Sequence, residues 1–348
     1  MSEEVLNERA KAFLKSLIQE FIQTGEPVGS RRLSRLSEEG LSPATIRNIM
    51  ADLEESGFVA QPHTSAGRIP TEKGYRFYVN TLLDRTELSK RDISEIELTL
   101  ENGDPTAENL MTRASHILST VSNNVGFVLA PPVSKIVLRH VEFLRLSDKR
   151  VLIILVGESG TVQNRVISTD NDMSQQELDF AGKYLVTNLA GMTLPQIRNR
   201  LVQLMSEEKA LYDKMLQKVI KLGTAGLEET KDEGSVYVEG TARLMRNPEF
   251  ADVRQMIEIF EMFEQKSRLV KIISECIRTD EIGHKVAIGL ESLAPGAQHI
   301  AVIASAYNYG NQMQGTLGVL GPARMEYARA IPLVEYVAKV VEKILNRN

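Results

Sequence analysis

The stretch SPATIRNIMADLEESGFVAQPHTSAGRIPTEKGYRFYV, Ser42–Val79, spells a helix, a hairpin and a second helix in that order. Ser42 is a good N-cap, and Pro43 follows at the first helical position, where its missing N–H costs nothing. Ile46, Met50 and Leu53 repeat at i, i+4 and i+7, so they must face a core, and Gly57 stops the helix. FVAQ (Phe58–Gln61) has strand character, PHTSAG (Pro62–Gly67) is a turn, and Arg68-Ile69 begins the return strand. Thr71 caps a following helix that carries Tyr75, Tyr78, Val79 and Leu82 on one face.

Two more helices precede this stretch. Leu6, Ala10, Phe13, Leu14, Leu17, Ile18 and Phe21 form one apolar stripe, ended by Gly25 and Pro27. Ser30 caps a short helix that turns Leu33 and Leu36 inward and ends by Gly40. Two short helices joined by a glycine-containing turn, then a hairpin, predict a winged helix-turn-helix. In that fold the second helix of the pair enters the major groove by its N-terminal end. With Ile46, Met50 and Leu53 inward, the outward residues of its first turns are Ser42, Ala44, Thr45, Arg47 and Asn48. Arg pairs bidentately with guanine, Asn with adenine, and Ala or Thr meets the thymine methyl. The wing offers His63, Thr64, Ser65, Gly67 and Arg68: small residues let backbone approach a phosphate, hydroxyls bond it, and an arginine suits a minor groove. Arg31, with Arg32 and Arg35 beside it, offers phosphate contacts from the short helix. An ordinary exposed helix face and a solvated hairpin turn have the same composition, so residue types alone leave both readings open.

Charge limits how such a domain binds. Residues 1–90 hold 12 Lys and Arg against 13 Asp and Glu, and the whole chain carries −5 with a pI near 5.7. Binding then rests on a segregated basic face and on base contacts, with weak non-specific affinity and a modest salt slope.

The remainder of the 348 residues has a different texture. Residues 84–105 are charged and end in the turn Asn102-Gly103-Asp104-Pro105, which marks a helical connector. A helix over 107–122 precedes the strand pattern IVLRHVEFLRL, RVLIILV and TVQNRVIS. Residues 174–222 read as helices. Ile197, Leu201, Leu204, Leu211, Met215, Val219 and Leu222 keep nearly coiled-coil spacing over about 39 Å. A Met- and Phe-rich helix follows, with Met256, Phe260 and Phe263, and then KVAIGL, HIAVIASAY and GTLGVLGP return to strand character before a last helix over 331–345. The order predicts an α+β multidomain chain in which one α+β domain is interrupted by a mostly helical insertion. The insertion has more apolar stripe than one small subdomain needs. We therefore expect a homodimer built through Ile197, Leu201, Leu204, Leu211, Met215, Met256, Phe260 and Phe263.

GEPVGSR (Gly25–Arg31), SPATIRN (Ser42–Asn48), ADLEESG (Ala51–Gly57) and PHTSAGRIPTEKGYRFYV (Pro62–Val79) together resemble the heat-inducible transcription repressor family HrcA. The likeness is dense over residues 5–83 and looser beyond. It implies a winged-helix DNA-binding domain over 1–84, a connector over 85–105, and a GAF-like domain split between 106–169 and 263–348. An inserted dimerising domain would occupy 170–262. It further implies a cytoplasmic repressor of chaperone operons that binds an inverted-repeat operator, the CIRCE element, as a homodimer, with activity dependent on the GroE chaperonin. The family often carries an acidic residue after SPATIRN; this chain has Ile49, which widens the apolar stripe instead.

Other function classes find little support. The densest apolar run, Val151–Val156, is far short of the roughly 20 residues that cross a bilayer, and no secretory leader is visible. The lone Cys276 reads as a small buried residue, and the histidines are too scattered for a metal site. There is no P-loop, dinucleotide fingerprint or HExxH, and Gly157-Glu158-Ser159-Gly160 lacks one residue of a nucleophile elbow. Neither an enzyme nor a cofactor is expected. The alternative is a winged-helix repressor controlled by a small ligand in the GAF-like domain.

Overall fold

Polar punctuation sets the ends of the elements. The structure, a computed structural model, describes residues 6–36, 42–63, 66–84, 86–103, 106–131, 136–147, 149–158, 160, 162–169, 172–206, 222–223, 235–245, 257–259, 261, 263, 265–277, 284–290, 299–310 and 313–347. Helix α1 (Glu8–Thr24) starts at Asn7, whose side chain accepts from the Ala10 N–H, and stops at Gly25 in the left-handed conformation, φ 72°. It is followed by α2 (Ser30–Leu36) and α3 (Pro43–Glu55). A two-residue ladder, β1 (Val59–Ala60) with β2 (Ile69–Pro70), forms the hairpin, and α4 (Glu72–Phe77) runs into a wider turn over Tyr78–Leu82.

The connector is α5 (Lys90–Glu101), capped by Ser89. It leads to α6 (Ala107–Ser122) and β3 (Val125–Leu129). Strands β4 (Leu138–Ser147), β5 (Arg150–Gly157) and β6 (Val162–Ser168) form a meander, followed by α7 (Gln175–Leu189) and α8 (Leu194–Ser206). Then come β7 (Val236–Glu239), α9 (Thr241–Met245), α10 (Lys266–Ile277), β8 (His284–Ile288), β9 (Ile300–Tyr309), β10 (Met313–Pro322) and α11 (Tyr327–Leu345).

The chain is thus mixed α+β with several sheets. The larger has the antiparallel order β7-β3-β10-β9-β8, with β9 and β10 paired from Tyr309↔Met313 to Ile300↔Pro322. Its strands are apolar on both sides because both sides are covered. Ala301 and Ile303 point to α6 and α11, while Ile300, Val302 and Ala304 pack with Leu269, Ile272 and Ile273 of α10.

Sheet membership differs from the order read along the sequence. Strands β4–β6 were expected to share a domain with the C-terminal strands; they pair only with one another and bury Val141, Phe143, Ile153 and Leu155 against α7 and α8. The strand β7, expected inside the insertion, is instead hydrogen-bonded to β3. Strand identity is written in local alternation, but the choice of sheet partner is not. The long apolar seam is corrected likewise. Ile197 is 1% exposed and Leu201 0%, both packed into the core of their own meander, so neither offers contact area to a second chain. Phe263 is half-buried on the α10 core. Leu211, Met215, Met256 and Phe260 lie outside the described residues, as does the side chain of Leu204.

The N-terminal helices are not a bead on a string. Phe13, Leu17, Ile46, Met50 and Tyr75 belong to one continuous core with Leu110, Ile303, Tyr327 and Val334. Arg324 donates to the Ile22 carbonyl at 3.2 Å, and Arg76 to the Ile288 carbonyl at 3.1 Å. Along α5, Asp92 and Glu97 accept from Arg329 and Tyr336 of α11, and Glu101 from Arg347 just beyond it, at 3.0, 2.8 and 3.2 Å.

Candidate nucleic-acid interface

Helix α3 is fixed at its start and along one side. The Ser42 hydroxyl accepts from the Thr45 N–H at 3.2 Å and lies 3.0 Å from the Thr45 hydroxyl, which leaves Thr45 half-buried. Ile46, Met50 and Leu53 are buried. That stripe leaves Ser42, Ala44, Arg47 and Asn48 exposed on the first two turns. Arg47 has no ion pair among the described residues. Ile49, where the family favours an acid, is half-buried against the core. On α2, Arg31 is exposed, whereas Arg32 is held by Glu20 at 2.7 Å.

The hairpin is anchored to its own chain. Phe58 N–H donates to the Leu53 carbonyl at the end of α3, and the Thr71 hydroxyl donates to the Gly57 carbonyl at 2.7 Å. At its tip the Gln61 amide donates to the Ala66 carbonyl. His63 is exposed; Thr64 and Ser65 lie outside the described residues.

Gly67 and Arg68 are both tied into the fold. The smallness of Gly67 serves the fold, since a Cβ there would stand 2.4 Å from the Val28 carbonyl carbon and oxygen. Arg68 exchanges both backbone hydrogen bonds with Val28, at 2.9 Å each. Its guanidinium is in an ion pair with Glu54 of α3 at 2.7 Å, and the side chain is 18% exposed. Glu54 was not among the expected site residues. A separation of fourteen residues between it and Arg68 follows no helical or strand period, so no local signal announces the pair.

Little else in the chain resembles a reactive centre. Burial, with Glu275 beside it, pushes the Cys276 thiol up to about 11, which keeps it protonated at neutral pH. Among the described residues no helix is long and apolar enough to cross a membrane, and no group of three acidic, His or Cys side chains could hold a metal. A cleft of about 1110 Å³ opens where α1, α5 and the start of α11 meet, lined by Gln19, Gln23, Arg91, Glu95, Asn123 and Arg329.

Comparison with known proteins identifies relatives of the chain. Residues 108–331 match the family described as HrcA protein C terminal domain. The heat-inducible transcription repressor HrcA of Geobacter sulfurreducens is 40% identical over 340 residues, covering 98% of each chain. The protein of the same name from Syntrophobacter fumaroxidans is 37% identical, covering 98% of this chain and 97% of that one. The one from Nitrosomonas eutropha is 39% identical over 344 residues, covering 98% and 100%. Among solved structures, the crystal structure of a hypothetical protein superposes with a TM-score of 0.60 at 21% identity, covering 98% of this chain and 99% of that one, a likeness of fold.

Proposed function

The chain belongs to the HrcA family of heat-inducible transcription repressors, regulators and not enzymes, and from there we propose that it represses chaperone operons by reading an inverted-repeat CIRCE operator with α3. One observation carries the reading. The capped first turns of α3 hold Ser42, Ala44, Arg47 and Asn48 outward over a buried stripe, with an arginine and an asparagine adjacent for guanine and adenine. Thr45, Arg31 and His63 supply flanking contacts. Such a repressor works in the cytoplasm, where the chromosome is.

An inverted repeat calls for two readers, so the repressor acts as a homodimer. We place the interface on the inserted unit, taken as 136–223 in place of 170–262, between a GAF-like domain's β3 and β7. The support is the outer face of the β4–β6 meander. Val162 and Val166 are 61% and 52% exposed there, beside half-buried Leu152, Ile154 and Val156. A central strand apolar on both faces is built to be covered on both. Residues 1–84 are the winged-helix domain and 85–105 the connector. Dependence on the GroE chaperonin is supported by the family likeness along the whole chain.

Footprinting of DNA upstream of chaperonin operons, with and without chaperonin, tests this. A protected inverted repeat whose occupancy rises with chaperonin is expected; no protected repeat under either condition overturns it. Val166→Asp should shift the chain toward monomer in sedimentation, and an unchanged dimer moves the interface elsewhere.

A further inference from the structure

The wing is held at three points. Its first strand leaves the end of α3, with Phe58 N–H on the Leu53 carbonyl. Its second strand is bridged at Arg68 to Val28, in the turn between α1 and α2. The third point is a side-chain pair, Arg68 Nη2 to Glu54 Oε2 at 2.7 Å. Glu54 lies on the last turn of α3, one position beyond buried Leu53. The Nε of Arg68 is buried and without a hydrogen-bond partner. With Nη2 on Glu54 and only 18% of the side chain exposed, this guanidinium is occupied within its own chain. The pair therefore ties hairpin to helix, and it neutralises the Glu54 carboxylate at the end of α3.

We propose that Arg68 and Glu54 are positioning residues: together they fix the angle between the wing and the reading helix, so that the His63 turn and Arg47 meet the duplex in register. This rests on the DNA-binding reading of α3 given above. It predicts a signature opposite to that of a phosphate contact. Removing either partner should weaken binding to the operator and leave non-specific binding and the salt slope unchanged.

The test measures binding of the full-length chain to an inverted-repeat operator and to scrambled duplex across a salt series. Arg68→Ala and Glu54→Ala should each weaken operator binding by about tenfold, and the double variant should be no worse than either single. The charge-exchanged variant, Glu54→Arg with Arg68→Glu, should recover most of the loss. It also decides the matter if Arg68→Ala folds poorly. A salt slope lower by about 0.9 in Arg68→Ala, with Glu54→Ala binding as tightly as the parent, would instead make Arg68 a phosphate ligand and overturn the proposal. Hydrogen exchange at the wing amides reads the pair without DNA. Faster exchange at Ala60 and Ile69 in both single variants supports it, and unchanged exchange overturns it. If the parent chain fails to shift any operator while its wing amides respond as expected, the DNA reading fails and the role in register with it, but the tie between wing and helix stands.

Discussion

Helix α3 and the wing lie side by side, and each carries one arginine that the sequence offers to DNA. Arg47 is exposed and has no ion pair among the described residues; Arg68 is mostly covered, in an ion pair with Glu54 and bonded through its backbone to Val28. The difference follows from what stands around each. On α3 the apolar stripe claims one side and leaves the other to solvent, so an outward position stays outward. A two-strand wing has too little core to hold itself, and its polar residues are recruited to fasten it. An arginine stays open to solvent only where its own chain offers no carboxylate beside it.

That contrast can be broken most forcefully at Gly67. Gly67→Ala should cost about 3 kcal/mol of stability, because the new methyl meets backbone at Val28 and not a yielding side chain. Asn48→Ala, on exposed α3, should stay within about 0.5 kcal/mol. Denaturant melts of the full chain compare the two, and a mild Gly67→Ala would mean that the wing is looser than its bridge to Val28 implies. Next in size is Arg47→Ala. It should lose about 1–3 kcal/mol of operator binding per half-site, concentrated on particular base pairs, with stability unchanged. Affinity across single-base operator variants reads this, and a uniform loss would make Arg47 a phosphate contact. Ser42→Ala should cost about 1 kcal/mol of stability through the lost cap, visible as a lower denaturation midpoint. The smallest effect belongs to Arg31→Ala. Binding to all sequences should weaken alike, with the salt slope reduced by about 0.9 and base preference retained.

The ends of α3 and α4 were readable because their signals are local: Ser42-Pro43 at one end of α3, Gly57 at the other, Thr71 before α4. Each acts within a turn of itself, and each end falls where that residue directs. Relations at a distance were not readable. Glu54 meets Arg68 only because Val28 holds the wing in place, and Val28 carries no mark of that task. The seam through Ile197 and Leu201 was legible as apolar and periodic, yet the same spacing suits a chain's own meander as well as a second subunit. The sheet partner of β4–β6 was hidden for a related reason, since alternation fixes which face is buried and says nothing of what buries it.

The core that joins Phe13 and Tyr75 to Tyr327 and Val334 has a consequence in time. A ribosome delivers α1 to α4 long before α11, so the N-terminal helices must wait for the helix that completes their core. Until then Arg324 is absent from the end of α1, and α5 has no helix to receive Asp92 and Glu97. Contacts spanning some 300 positions reward the chain only after a very long loop has closed, which makes folding slow and leaves apolar faces open meanwhile. The N-terminal helices therefore reach their final setting only when α11 docks.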